Sequence, residues 1–156
     1  MPSSKVHEVV NLACLPGALL VPEPVEQWWF VGGYIFGTFM LSPDLDMQMS
    51  RPASRWWVLR GLWLPYGRIA AHRGRSHNVL VGLFLRLLYL LGLVGVIVFV
   101  AWSFDVHLLT VPWSAMGVKL MSLGLGLFVA DILHIFLDSI VTRLKRSFGL
   151  SRRRRR

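Results

Sequence analysis

The sequence predicts an all-α fold, an integral membrane four-helix bundle with a basic, Trp-rich cytoplasmic loop. Hydrophobic residues make up 54% of the 156 residues, and the mean hydropathy of +0.55 is too high for an ordinary soluble domain. A long uncharged run, residues 87–104, is typical of a membrane-spanning helix. The arginines are concentrated in residues 51–75 and again after residue 142, and this asymmetry carries topology information.

The first two predicted helices are short. Ser4 can cap a helix over about residues 5–21, and Pro22 marks its end. A second apolar helix covers about residues 27–41 and stops at Pro43. A full membrane span needs about 20 apolar residues, so the first helix either crosses a thinned bilayer or dips into one leaflet.

The next stretch, residues 47–77, interleaves arginine with tryptophan, which predicts a segment lying on lipid headgroups. A plain, positively charged cytoplasmic loop remains an open alternative. The clearest predicted span follows over about residues 78–103, with Arg86 as its one charged residue. The last predicted span covers residues 113–141, and Lys119 can extend its amine to the interface.

Domain organisation and topology follow from the basic residues. Residues 1–142 form a predicted membrane domain, and residues 143–156 form a basic tail that we expect to be disordered. If residues 47–77 and the tail lie in the cytoplasm, the connections around residues 23–26 and 105–110, which lack Lys and Arg, lie outside. We therefore expect four crossings with both termini cytoplasmic, in a bacterial inner membrane or another cytoplasm-facing membrane.

The last predicted helix carries an unusual polar stripe. Asp131, His134 and Asp138 are spaced at i, i+3 and i+7, so they project from one helical face among apolar neighbours. Ionisable groups within a membrane need partners, and such a cluster indicates a functional site. The predicted topology brings further His and Asp residues to the same cytoplasmic end, namely His7, Asp44, Asp46, His72 and His77.

Imidazole and carboxylate are ligands of Zn²⁺, Mn²⁺ and Fe, so this set indicates a divalent metal site. The lone Cys14 excludes an internal disulfide and any site that needs several thiolates. Other interpretations stay open for single residues. Asp44 and Asp46 also suit a turn after a proline, and Asp131 or Asp138 also suits a counterion for Arg86.

The net charge of +9 and the pI near 11.1 also occur in nucleic-acid-binding proteins. Such proteins rarely separate their arginines by uncharged runs of membrane-spanning length. We therefore expect the basic residues to contact a lipid bilayer with anionic headgroups, and we expect no specific nucleic acid partner.

Several short motifs, taken in order, carry a resemblance to a known family. They are residues 4–7, the Leu-Ser-Pro-Asp-Leu-Asp sequence of 41–46, the Arg-rich residues 51–66, the His-Arg-Gly-Arg-Ser-His sequence of 72–77, and His134-x3-Asp138. With them the chain resembles a family of uncharacterised bacterial membrane proteins described as metal-binding. It is also similar to the broader YdjM-like group of predicted membrane-bound metal-dependent hydrolases. The resemblance implies a metal site made of His7, Asp44, Asp46, His72, His77, His134 and Asp138.

The favoured function is a membrane-bound metal-binding protein, with metal-dependent hydrolysis of a phosphoester or lipid-derived substrate at the cytoplasmic face. In such a site the metal lowers the pKa of a bound water, and a nearby carboxylate accepts its proton. The alternatives are a noncatalytic metal-binding or transport protein and a structural membrane protein whose polar residues fix helix packing. We place transport below binding because few polar residues fall on the predicted outer half.

The predicted topology is testable with reporter fusions. A reporter fused after Arg156 is expected in the cytoplasm, and one fused after Asp105 is expected outside it, because basic loops are retained on the cytoplasmic side. Paired phosphatase and fluorescent-protein fusions measure the location of each point. A cytoplasmic Asp105 fusion would contradict the four-crossing arrangement and the shared cytoplasmic site.

Overall fold

The computed structural model describes residues 3–18, 20–47, 49–70, 79–104 and 113–148. These described residues form helices and turns and contain no strand, so the predicted all-helical class is confirmed. The α-helices within them are α1 (Ser4–Ala18), α2 (Gln27–Phe39), α3 (Arg51–Arg55), α4 (Leu64–Ala70), α5 (Val79–Ser103) and α6 (Trp113–Ser147).

Helices α2 and α6 pack with their backbones in contact, and glycine makes this possible. A side chain at Gly33 would place its Cβ 2.1 Å from the Leu123 carbonyl oxygen, and one at Gly126 would place it 2.0 Å from the Phe30 oxygen. Small residues at such positions let helices approach closely enough for extensive van der Waals contact. Glycine at the crossing therefore fixes the separation and register of α2 against α6.

Helix α1 is fastened to this pair by buried hydrogen bonds from Asn11. Its side-chain amide donates to Thr38 Oγ1 at 3.1 Å and to the Ala130 carbonyl at 3.3 Å. The Tyr34 hydroxyl donates to the Asn11 carbonyl at 2.7 Å. One residue of α1 is thus bonded to both α2 and α6, which sets the position of the α1 residues on either side of it.

Helix α5 is joined to the other helices through Arg86, whose side chain is fully buried. The guanidinium forms an ion pair with Asp131 of α6 and donates to the Leu41 carbonyl just after α2 at 3.0 Å. It also donates to the Gly82 carbonyl of its own helix at 3.2 Å. These bonds satisfy a buried cation and hold three helices together at one point.

The described residues between α2 and α5 are folded against the helices. A 3-10 turn, Pro43–Asp46, follows α2, and a second one, Trp57–Trp63, connects α3 to α4. Trp63 is buried against the Tyr66 and Tyr89 rings, with centroids 5.7 and 5.5 Å away, and the Tyr89 hydroxyl donates to the Leu62 carbonyl. Residues 49–70 of the predicted basic loop therefore consist mostly of short helical turns.

Two helices are long and apolar enough to cross a membrane, over Leu80–Ser103 and Met116–Ser147. Little of the first is buried inside the protein. At about 1.5 Å per residue, α1 and α2 are each only about 20 Å long, shorter than a hydrocarbon core of about 30 Å. Helix α6 ends at Ser147 rather than at residue 141.

The ion pair of Arg86 with Asp131 generates a stability prediction. Asp131→Asn leaves the buried guanidinium without its counterion, and we expect it to lower the free energy of unfolding by about 3–5 kcal/mol. Unfolding of the detergent-purified protein, followed by circular dichroism, measures the change. The double variant Asp131→Asn with Arg86→Met is the control and should recover most of the loss. Equal stability of Asp131→Asn and wild type would contradict the prediction.

Candidate metal centre

Three predicted site residues come together on the facing surfaces of α1 and α6. His7, His134 and Asp138 each offer a ligand atom, and these atoms all lie within 4.8 Å of one another. All three residues are buried. His134 and Asp138 are one helical turn apart on α6, so their side chains share a face, and α1 brings His7 against that face.

The side chains of the cluster lie close to one another. His7 Nε2 lies 3.3 Å from Asp138 Oδ1, and the His7 and His134 rings are stacked with centroids 3.7 Å apart and planes 11° apart. Two imidazolium charges at this separation would repel strongly in a buried site. In its neutral form an imidazole has one unprotonated nitrogen, and that nitrogen can bind a metal ion.

Asp44 joins the cluster from the 3-10 turn after α2. Its Oδ1 lies 3.6 Å from His134 Nε2, and the Ser4 hydroxyl donates to its Oδ2 at 3.2 Å. Ser42 caps the turn by accepting the Asp44 backbone N–H at 3.4 Å, and its hydroxyl lies 3.4 Å from His134 Nδ1. Asp44 is thus a turn residue and a neighbour of the cluster at once, so the two interpretations of its sequence position are compatible.

The donor set fits a divalent metal ion. Two imidazoles and two carboxylates are the ligands that Zn²⁺, Mn²⁺ and Fe accept. Within the described residues, the buried His7 Nδ1 makes no hydrogen bond, although buried polar atoms are nearly always bonded. Ser42 beside His134 Nδ1 is placed to orient that ring, as partners of metal-bound histidines commonly do. The residues available to a metal here are His7, Asp44, His134 and Asp138.

A cleft of about 350 Å³ reaches three of these four residues, His7, Asp44 and Asp138. It is bounded by the start of α1, the segment between α2 and α3, and α6. Its lining residues are Ser3, Ser4, His7, Asp44, Met47, Met49, Ser50 and Asp138. Structural metal sites are closed by protein ligands, whereas catalytic sites keep a coordination position open. A cleft that reaches the donors therefore gives water or a small substrate access to them.

Two further predicted residues that the structure describes, Asp131 and Asp46, lie outside the cluster of three donors. Asp131 pairs with Arg86, so the counterion interpretation describes its contact, and it is not among the three clustered donors. Asp46 is buried in the same turn as Asp44 but also lies outside that cluster. Burial raises the pKa of nearby Tyr66 to about 12; the Arg86 charge acts to lower this pKa and the Asp46 charge to raise it, and the hydroxyl stays uncharged.

His72 and His77 fall outside the described residues, and their assignment as ligands stays a prediction.

The sequence prediction missed residues that support the site. Ser42 was assigned no role there, although serine two residues before Asp44 at the start of a turn is a typical capping pattern. Glu8 was also missed. It follows His7 on α1 and forms ion pairs with Arg51 and Arg55 of α3. No spacing rule links residue 8 to residues 51 and 55, so only the folded structure reveals this contact.

Comparison with known proteins gives a consistent result. Residues 2–148 match the family DUF2227, described as an uncharacterized metal-binding protein. An uncharacterized protein from Aquifex aeolicus (strain VF5) is 36% identical over 147 residues, covering 82% of this chain and 99% of that protein. No solved structure matches the chain. The expected resemblance to a metal-binding family is confirmed, and the chain belongs to the DUF2227 family of uncharacterized metal-binding proteins.

Proposed function

We propose that this protein binds one divalent metal ion through His7, Asp44, His134 and Asp138, at the floor of the cleft. The observation that carries the proposal is the convergence of ligand atoms from α1 and α6 to within 4.8 Å of one another, with Asp44 against His134. Burial of both imidazoles and both carboxylates supports it, because a divalent cation balances the negative charge that they concentrate. His72 and His77 remain candidates for additional ligands.

The proposal includes insertion in a membrane as a helical bundle. Helices α5 and α6 are its full spans, supported by their length and apolar composition. Helices α1 and α2 form a shorter hairpin against α6, which crosses where the bilayer is thinned or ends within it. The basic segment at 47–77 and the basic C-terminal residues face the cytoplasm and its anionic lipid headgroups, with both termini on that side.

We further propose that the site is hydrolytic, as in the YdjM-like group that the sequence resembles, with a phosphoester or lipid-derived substrate. Access through the cleft favours this over a site that only stores metal or fixes packing. A bound metal supplies Lewis acidity and lowers the pKa of coordinated water toward neutrality. The protein residues then position the substrate. Ser4 and Ser50 bring hydroxyl groups to the cleft wall, and Met47 and Met49 bring apolar side chains.

Metal content is the direct test of the metal site. We expect His134→Ala to lower metal affinity by more than about 100-fold, because one of few protein ligands is lost, while the protein stays folded. Elemental analysis of protein purified in detergent without chelator measures this against wild type. Asp131→Asn is the matched control on the same helical face, and its folded fraction should keep the metal. Full occupancy in His134→Ala, or none in wild type, would favour the packing alternative.

Hydrolysis is tested separately with a chromogenic phosphate ester and with phospholipid in mixed micelles. We expect activity that a chelator abolishes and that one of Zn²⁺, Mn²⁺ or Fe²⁺ restores, because water activation depends on the metal. Ser50→Ala is expected to retain metal and to raise the Michaelis constant, since Ser50 lines the cleft and caps α3 by accepting the Ala53 N–H, without belonging to the donor set. A metal-loaded wild type without activity on any ester class would leave noncatalytic binding as the function.

A further inference from the structure

A cluster of three charged residues is adjacent in the chain to residues of the cleft, although none of the three is itself among the lining residues. The Glu8 side chain, 10% exposed, forms an ion pair with Arg55, with Nη1 2.8 Å from Oε1, and accepts a hydrogen bond from Arg51 Nη1 at 3.3 Å through Oε2. Glu8 directly follows His7, and Arg51 directly follows Ser50, and both of those neighbours line the cleft. We call Glu8, Arg51 and Arg55 the cleft triad.

The cleft triad carries an excess of positive charge. Two guanidinium groups, which stay protonated at every physiological pH, share one carboxylate. Even with Glu8 fully ionised, one positive charge is left over beside the cleft. At the floor of the cleft, a divalent cation would be balanced by the two carboxylates of Asp44 and Asp138. The triad thus favours the binding of an anion between the three charged residues and the candidate metal site.

The two arginines have different surroundings. Arg55 Nη1 also donates to the Phe39 carbonyl at 3.0 Å, and its guanidinium lies 4.8 Å from the centre of the Phe39 ring. Arg55 therefore ties α3 to the end of α2 as well as to α1. Within the described residues, Glu8 is the only hydrogen-bond partner of the Arg51 guanidinium, at 3.3 Å, which is longer than the 2.8 Å between Arg55 and Glu8. The Arg51 side chain is 46% exposed.

We propose that Arg51, which follows the lining residue Ser50, is the anion-binding residue at the edge of the cleft and that the group it binds is a phosphate monoester. Arginine binds phosphate through paired, charge-assisted hydrogen bonds, and its unused N–H donors on the exposed side suit that geometry. Arg55 keeps Glu8, and through it α1 and His7, in place while Arg51 binds the substrate. This inference rests on the proposed function, because it assigns the substrate class of the same cleft.

Phosphate binding by matched glutamine variants tests the proposal. The probes are glycerol phosphate, for a free substrate, and short-chain phosphatidic acid, for a membrane substrate, titrated calorimetrically into detergent-purified protein. We expect Arg51→Gln to weaken binding of the phosphate group about tenfold or more, the loss typical of a charge-assisted bond. Arg60→Gln, at an exposed position on the same basic segment, should bind as wild type does. Arg55→Gln should instead lower thermal stability.

The result is independent of the metal test if both quantities are measured on each preparation. Arg51→Gln is expected to keep the wild-type metal content, and Arg51→Lys to recover part of the phosphate affinity, because the positive charge is retained. Unchanged phosphate affinity in Arg51→Gln, or equal losses in Arg51→Gln and Arg60→Gln, would overturn the inference. Absence of metal from wild type would overturn the proposed function alone, since phosphate binding by metal-free protein still tests Arg51.

Discussion

The buried guanidinium of Arg86 is the constraint on which the arrangement of helices depends. An arginine without counterion or hydrogen-bond acceptors would be very costly in an apolar interior. Asp131 supplies the charge, and the carbonyls of Leu41 and Gly82 supply acceptors, so α5 can pack here only where α2 ends and α6 presents its acid. The candidate metal cluster begins one turn further along α6, and its position is therefore tied to this ion pair.

Close packing of α2 on α6 carries that constraint to the candidate ligands. Gly33 and Gly126 bring the two backbones into contact, and the register that results places Ser42 and Asp44 beside His134. A side chain at either glycine would separate the helices and move the turn away from the imidazole. Gly33 and Gly126 thus help to set the geometry of the metal cluster, although neither has a side chain and neither lies in the cluster.

The sequence was informative about which residues share a helical face, because periodicity follows directly from helix geometry. It therefore grouped Asp131, His134 and Asp138 correctly on one face of α6. It could not assign partners. Periodicity gives the angular position of a residue around the helix axis, but not its position along the axis relative to a neighbouring helix. Which acid meets Arg86 depends on the vertical register of α5 against α6, and that register is set by packing. The same limit applies to Asp44 and Asp46, whose different neighbours follow from the 3-10 turn.

The division of roles along α6 has a physical rationale. Asp131 is paired with a covalently attached cation, so its charge is balanced in every state of the protein. Asp138 has the His7 imidazole as a close neighbour, and an imidazole can give up its proton to become a metal ligand. About two turns of helix thus separate Asp131, in its ion pair with Arg86, from Asp138 in the candidate metal site. The ion pair preserves the helix packing whether or not a cation binds to the candidate site.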